Sequence, residues 1–424
     1  MKKITDTKIG IIGLGYVGLP LAIEFGKRYK TFGFDINKKR ILDLRRSKDI
    51  NSEFNKREII ASKKLFFTND SDYLKDCNFY VVTVPTPIKK NYEPDLRMLK
   101  SASRLIGKLI SKNNIVVFES TVYPGATEEV CVPIIEIQSK LKANKDFFYG
   151  YSPERINPGD KKNTLRNIIK IVSGSNSMSK KFIKKIYESI LKNKTHLAKD
   201  VRTAEAAKVI ENIQRDVNIA LTNEFSNIFN RLGIDTQEVL KAASTKWNFI
   251  KYSPGIVGGH CIGVDPYYLA HKSKKIRHNP KIILSGRSTN ENMPKEIVRR
   301  LVILLKEKKI LISNASTLVL GFSFKENCSD TRNTKVLDLI LLLLKKEMKI
   351  DVFDPLIQNF DFKKKNLFFK KKLVKKKYDL IILAVPHSQF LNYPINKIKK
   401  LGKKNHILYD IKGSLSKKFV DGRL

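Results

Sequence analysis

The sequence predicts an α/β protein built from two Rossmann-like, doubly wound domains joined by a long central helix. Three observations predict it. An apolar strand runs into the turn Gly13-Leu14-Gly15-Tyr16-Val17-Gly18, after which strand-like and helical stretches alternate. The alternation returns from Ser316 onward, and the strand ends repeat: Gly33-Phe34-Asp35 matches Val352-Phe353-Asp354, and Val84-Pro85 matches Val385-Pro386. Between the repeats, Val201 to Leu232 has helical periodicity without Pro or Gly and stops at Gly233.

In the first repeat, Lys8 to Leu14 is apolar enough for a buried parallel strand. A helix from Val17 to Tyr29 follows, then strands at Thr31–Asp35, Asn78–Val84 and Asn114–Glu119. In the second, Ser316 to Gly321 is a strand ending in glycine and Val336 to Lys346 a helix, with strands at Ile350–Phe353, Tyr378–Val385 and His406–Asp410. At about 1.5 Å per residue the central helix reaches roughly 45 Å, enough to join two domains and offer a dimer surface through Ile210, Ile213, Val217, Leu221 and Phe225. The expected division is 1–200, 201–300 and 301–424, a reasonable split for 424 residues.

The formal net charge is +41, from 82 basic and 41 acidic residues. The lysines are spread along the whole chain, accompany abundant Ile and Asn, and come with no nucleic-acid-binding motif, so the charge does not by itself predict such a partner. Part of it can attract a phosphorylated substrate. Four cysteines, Cys77, Cys131, Cys261 and Cys328, are too widely spaced for a metal site, and no metal is expected. The first residues carry no signal peptide, and the longest apolar run, Val336 to Leu344, is too short to span a bilayer. The expectation is a cytoplasmic, reduced protein without membrane contact.

The glycine turn follows a strand and opens a helix, and Asp35 stands 22 residues after Gly13. Such glycines allow a tight turn and let a pyrophosphate approach the helix N-terminus. Asp35 can accept hydrogen bonds from ribose hydroxyls and repel a 2′-phosphate, which favours NAD over NADP. Ligands of these sheets bind beyond the carboxyl ends of the strands, which places Thr86 and Thr121 toward the cofactor; each hydroxyl is also a common turn or cap residue. Lys208 and Asn212 share a helix face with Glu205 and could stabilise an oxyanion, although without context this is solvated helix surface.

The run Pro254 to Tyr268 places one thiol, Cys261, among glycines, with Asp265 four residues on. As a thiolate, Cys261 can attack an aldehyde. A nucleotide cofactor with a nucleophilic thiol points to a dehydrogenase that holds its substrate covalently. Alone, Cys261 is equally a small buried cysteine in a tight loop. His260 beside it is a base only if both side chains turn to one side, which neighbours in an extended loop seldom do.

The runs Gly13–Gly18, Val84–Pro87, Glu119–Thr121, Ser152-Pro153-Glu154-Arg155, Lys208 with Asn212, Gly258–Asp265 and Gly321-Phe322-Ser323-Phe324-Lys325 together resemble the UDP-glucose/GDP-mannose dehydrogenase family over nearly the whole chain. Gly259–Leu269 and Ser152–Gly159 look like its UDP-N-acetylhexosamine branch. The resemblance implies a four-electron oxidation of the sugar C6 by two NAD in turn, through a Cys261 thiohemiacetal and thioester, for surface polysaccharide biosynthesis. It implies catalytic roles for Cys261, Lys208, Asn212, Asp265, Thr121 and Glu154. The cofactor set reads Gly13, Gly15, Tyr16, Val17, Gly18, Asp35, Arg40, Thr86, Thr121, Glu154 and Arg332. The UDP-sugar set reads Arg155, Lys208, Asn212, Tyr252, Gly258 and Lys325. A homodimer is expected, with no nucleic acid. UDP-glucose enzymes carry a second Glu where this chain has Pro158, and a Lys where it has Val264, which leaves the general base open. Arg155 can donate to an acetamido carbonyl or pair with a carboxylate or phosphate. UDP-N-acetylmannosamine and UDP-glucose stay open as substrates. A two-electron nucleotide-sugar oxidoreductase and a basic nucleic-acid-binding protein are the competing readings.

Overall fold

The structure, a computed structural model, describes residues 4–51, 53–156, 162–357, 360, 362–373 and 376–424. Pro158 therefore lies outside the described residues.

The first sheet has six parallel strands, β1 (Lys8–Ile12), β2 (Lys30–Phe34), β3 (Leu65–Thr68), β4 (Phe79–Val82), β5 (Ile115–Phe118) and β6 (Phe148–Tyr151), in the order β3-β2-β1-β4-β5-β6. A short parallel pair follows, β7 (Ile171–Val172) with β8 (His196–Leu197). The second sheet holds β9 (Ser316–Leu320), β10 (Lys349–Phe353), β11 (Leu367–Lys370), β12 (Tyr378–Leu383), β13 (Gly402–Asp410) and β14 (Gly422–Arg423), in the order β11-β10-β9-β12-β13-β14. The two orders are the same, and both are doubly wound. Central strands such as Phe79–Val82 and Ile115–Phe118 are buried along their length because helices cover both faces.

The halves also agree bond by bond. Gly13 N–H donates to the Phe34 carbonyl at 2.9 Å, and Gly321 N–H to the Phe353 carbonyl at 2.8 Å. Each glycine has a left-handed φ, +96° and +88°, which ends its strand one or two residues before the expected Leu14 and Gly321. The helix expected from Val17 to Tyr29 is Gly18–Gly26. The strands that the sequence did not disclose in these sheets, β3, β6, β11 and β14, are their four edges. Three of them, β3, β11 and β14, are partly exposed and so lack the continuous buried run of a central strand, whereas β6 is buried along its length.

The central helix spans Val201–Arg231 and ends at Gly233, whose φ of +71° suits a residue just past a helix. A second long helix, Lys281–Glu307, contains Pro294, which broke the helical pattern in the sequence. The central helix carries a stripe of buried polar residues, Glu205, Lys208, Asn212, Asp216, Asn223 and Ser226. They recur at helical spacing, and several bond to neighbouring elements, as buried polar groups generally do. Asn223 exchanges two bonds with the Gly255 backbone, at 2.8 and 2.9 Å, and Asp216 accepts from Arg287 at 2.6 Å.

The chain divides into two compact units, Met1–Glu211 with Tyr267–Asn279, and Asn212–Pro266 with Pro280–Leu424. The first contains β1 to β8, the second β9 to β14. The central part expected at 201–300 contributes residues to both units. Among the described residues no helix is long and apolar enough to cross a membrane.

Candidate active site

The first unit presents a turn shaped for a dinucleotide. A Cβ on Gly18 would sit 1.8 Å from the Gly13 carbonyl oxygen, and one on Gly13 3.1 Å from the Thr83 carbonyl, so both positions require glycine. A Cβ on Gly15 would meet no protein atom within 4 Å, leaving that backbone open to a ligand. Tyr16 and Val17 are half-buried and lead into the helix. Asp35 holds the turn: its Oδ2 accepts the Leu14 N–H at 2.9 Å and its Oδ1 the Asn37 N–H at 2.8 Å. It stays partly exposed, so it can also meet ribose hydroxyls. Arg40 is buried; it donates Nε to the Leu14 carbonyl at 3.0 Å and Nη1 to Asp49 at 2.7 Å. What the structure shows of Arg40 is thus a brace beneath the turn. The donor set fits NAD: open glycine backbone, a helix N-terminus and a carboxylate at the end of β2.

Two more strand ends are tied together. Thr86 Oγ1 donates to the Thr121 carbonyl at 2.8 Å, and Tyr268, fully buried, donates to the Thr86 carbonyl at 2.8 Å. Beyond β6, Glu154 is buried and its Oε1 accepts the N–H groups of Arg155 and Ile156 at 2.6 and 2.5 Å. Arg155 pairs with Glu211 at 2.9 Å and donates to the Ile169 carbonyl at 2.8 Å, which is the carboxylate pairing that the sequence left open.

The face of the central helix that bears Glu205, Lys208 and Asn212 is not solvated, with exposures of 0, 7 and 4%. Glu205 accepts the Gly125 and Thr127 N–H groups at 2.5 and 2.9 Å, and burial pushes its carboxyl up to about 7.

In the second unit Cys261 is exposed, whereas Cys77, Cys131 and Cys328 are buried. This decides against the buried-cysteine alternative. Cys261 sits in a turn whose carbonyl accepts the Val264 and Asp265 N–H groups at 3.1 and 2.9 Å, and Asp265 opens the helix Asp265–Lys275. Asp265 Oδ2 accepts the Asn212 amide at 2.5 Å, so the group it demonstrably orients is an asparagine. Val264, where UDP-glucose enzymes were expected to carry a lysine, is buried in the fold. The glycines before the thiol have steric reasons: a Cβ on Gly258 would lie 2.7 Å from the Asn333 carbonyl, and one on Gly259 2.7 Å from the Phe324 ring. His260 is half-buried, and desolvation with the neighbouring Arg332 lowers its pKa. Arg332 forks onto Asp330 at 2.6 to 3.1 Å, and the Lys325 ammonium lies 5.7 Å over the Phe324 ring. Tyr252 is half-buried before the glycine run. Among the described residues there is no cluster of His, Cys, Asp and Glu that could hold a metal ion.

Three family models cover this architecture: the NAD binding domain of the UDP-glucose/GDP-mannose dehydrogenase family at residues 7–191, its central domain at 202–292 and its UDP binding domain at 318–417.

The chain belongs to the UDP-glucose/GDP-mannose dehydrogenase family.

Its cofactor is NAD, bound by the first of these domains. The chain is similar to a UDP-N-acetyl-D-glucosamine 6-dehydrogenase of Salmonella typhi, 50% identical with all of both chains covered. It is equally similar, at 50%, to one of Pseudomonas aeruginosa, with 99% of this chain and 100% of that one covered. A solved UDP-D-ManNAc dehydrogenase from Pyrococcus horikoshii superposes with a TM-score of 0.88 at 29% identity, covering 98% of each chain. Sequence reasoning missed Glu119, Lys170 and Tyr187 as members of a buried cluster next to Glu154. Lys170 carried no signal, since it is one lysine among many in an irregular stretch.

Asp35 both closes the turn and faces the ribose site. Replacing it with Ala should weaken NAD binding by about 1.5–3 kcal/mol, the range for bonds to a charged group. Asp35→Asn, which keeps an acceptor for Leu14, should lose less. Titration calorimetry with NAD checks this; unchanged affinity in Asp35→Ala would remove Asp35 from the ribose site.

Proposed function

We propose that this dehydrogenase oxidises C6 of a UDP-N-acetylhexosamine, UDP-N-acetylglucosamine or UDP-N-acetylgalactosamine, to the uronic acid, for surface polysaccharide biosynthesis. The observation that carries the reading is the exposed Cys261 thiol in a turn whose Asp265 also orients Asn212. The exposed thiol favours this reading over a two-electron oxidoreductase, which needs no nucleophile. The acetamido branch is supported by the two 50% identical relatives named for UDP-N-acetyl-D-glucosamine.

NAD, bound at the turn Gly13–Gly18 and Asp35, supplies the electron sink for both oxidations of C6. The residues do the rest. Cys261, as thiolate, adds through Sγ to the C6 aldehyde, and the carbonyl oxygen becomes an alkoxide. Asn212 offers that alkoxide an amide N–H while Asp265 fixes its orientation; Lys208, one helical turn earlier, adds a positive charge. After the second oxidation C6 is a thioester. Attack by water breaks the S–C6 bond, frees the acid and returns the thiol. Thr121 and Glu154 are assigned to the cofactor side, with Glu154 close to the water. Lys325 and the turn after β9 are assigned to the UDP.

A homodimer is part of this proposal. On the central helix Ile210, Leu221 and Ile228 are 54, 49 and 46% exposed and recur about every two or three turns, on one face. Ile213, which the sequence had grouped with them, is buried.

Cys261→Ala should abolish uronic acid formation and leave NAD affinity nearly intact; acid formed at even about a tenth of the normal rate would exclude covalent catalysis by this thiol. In an NADH-release assay across UDP-sugars, the acetamido sugars should be preferred over UDP-glucose by about ten- to a hundredfold, with two NADH per sugar. UDP-glucose as the best substrate would overturn the branch assignment. Sedimentation at micromolar concentration should show a dimer, and Leu221→Lys should weaken it; a monomeric wild type would end that part of the proposal.

A further inference from the structure

A buried set of charges lies behind Glu154, and the chemistry above makes no use of it. Lys170 is 0% exposed; its Nζ donates to Glu119 Oε2 at 2.7 Å and to the Pro153 carbonyl at 3.1 Å, and stands 3.9 Å from Glu154 Oε2. Tyr187, also fully buried, donates to Glu119 Oε1. Glu154 Oε2 is buried and has no hydrogen-bond partner among the described residues. The segment around Lys170 grips the loop that bears Glu154 at three points. Arg155 donates to the Ile169 carbonyl at 2.8 Å, Lys170 holds the Pro153 carbonyl, and Ser152 Oγ donates to the Ile171 carbonyl at 2.7 Å.

The charges do not balance. Two carboxylates, 1 and 8% exposed, face one fully buried ammonium, and an unbalanced buried charge is strongly unfavourable. The cluster therefore retains a proton, and the geometry distinguishes the two carboxyls. Glu154 receives two main-chain N–H groups on one oxygen. Glu119 is the more deeply buried, at 1% exposure, and receives no main-chain donor on its carboxyl among the described bonds. Burial pushes Glu119 up to about 7, against the pull of Lys170 and with a smaller push from Glu154. The Tyr187 hydroxyl can rotate to accept from a protonated Glu119.

We propose that Lys170 is a positioning residue for the reaction: it anchors the loop that bears Glu154 through the Pro153 carbonyl, while the proton that balances the cluster resides on Glu119. The proposal rests on Glu154 acting beside the cofactor, as assigned above.

The test compares the full chain with Lys170→Met and Lys170→Arg, using NAD and the fastest UDP-sugar. Lys170→Met should lower kcat at least about tenfold and change either KM by less than about threefold, because the loop that bears Glu154 loses its anchor. Lys170→Arg should restore kcat most of the way. Wild-type kcat in Lys170→Met, or a loss confined to KM, would overturn the role. If Lys170→Met does not fold, Lys170→Arg decides instead: a kcat as far from wild type as that of Glu154→Gln would overturn it. Infrared titration locates the proton without turnover. In a Glu205→Gln background, which removes the other buried carboxyl pushed up to about 7, the protein should lose a buried carboxyl band as pH rises through about 7, and adding Glu119→Gln should remove that band. A band that persists in the double variant would place the proton elsewhere and overturn the assignment. If wild type oxidises no UDP-sugar, the proposed function fails, and the infrared result still decides the proton's site.

Discussion

A carboxylate at the end of the second strand holds each nucleotide-binding turn closed, and the architecture of both halves depends on that bond. Asp35 accepts the N–H of Leu14; Asp354 accepts those of Phe322 and Ser323 at 2.7 and 3.1 Å. Each also caps the chain two residues on, through Asn37 or Leu356. Without an acceptor there, a glycine turn with left-handed φ would expose its N–H groups and lose its shape. A bond of this charged kind contributes about 1.5–3 kcal/mol, a large fraction of the net stability of a domain.

The same device is used to different ends. Asp35 stays partly exposed and can meet a ribose. Asp354 is 2% exposed and sealed by His387, itself 0% exposed, whose Nε2 lies 3.0 Å from the carboxylate. His387 Nδ1 accepts the Asn327 N–H at 2.9 Å, so the ring hydrogen sits on Nε2 and points at Asp354. A carboxylate enclosed in this way braces the turn and cannot also read a sugar hydroxyl. This difference fits the two domain descriptions, NAD binding for the first half and UDP binding for the second.

Buried polarity organises the rest. The central helix places seven polar side chains in the interior, each costly unless paired. Their partners are loops and helices remote in sequence: Gly125 for Glu205, Gly255 for Asn223, Arg287 for Asp216. Such bonds fix which surfaces meet the helix, whereas apolar packing alone would tolerate slippage.

By itself the sequence determined the central strands, the two glycine turns, their paired aspartates, the long helix and the cysteine loop. These depend on local patterns, an apolar run, a glycine needing positive φ or a helical period, that a short stretch of chain displays in full. It did not disclose the edge strands β3, β6, β11 and β14, or the helix Lys281–Glu307, which contains Pro294. Only the tertiary structure decided which polar residues are buried. Glu205, Lys208 and Asn212 read as solvated surface, Arg155 left several partners open, and Lys170 was one lysine among many. The reason is that burial, and with it the energy of a charge, is set by residues that come together only in the fold: Glu119, Pro153 and Tyr187 enclose Lys170 from positions 51, 17 and 17 residues away.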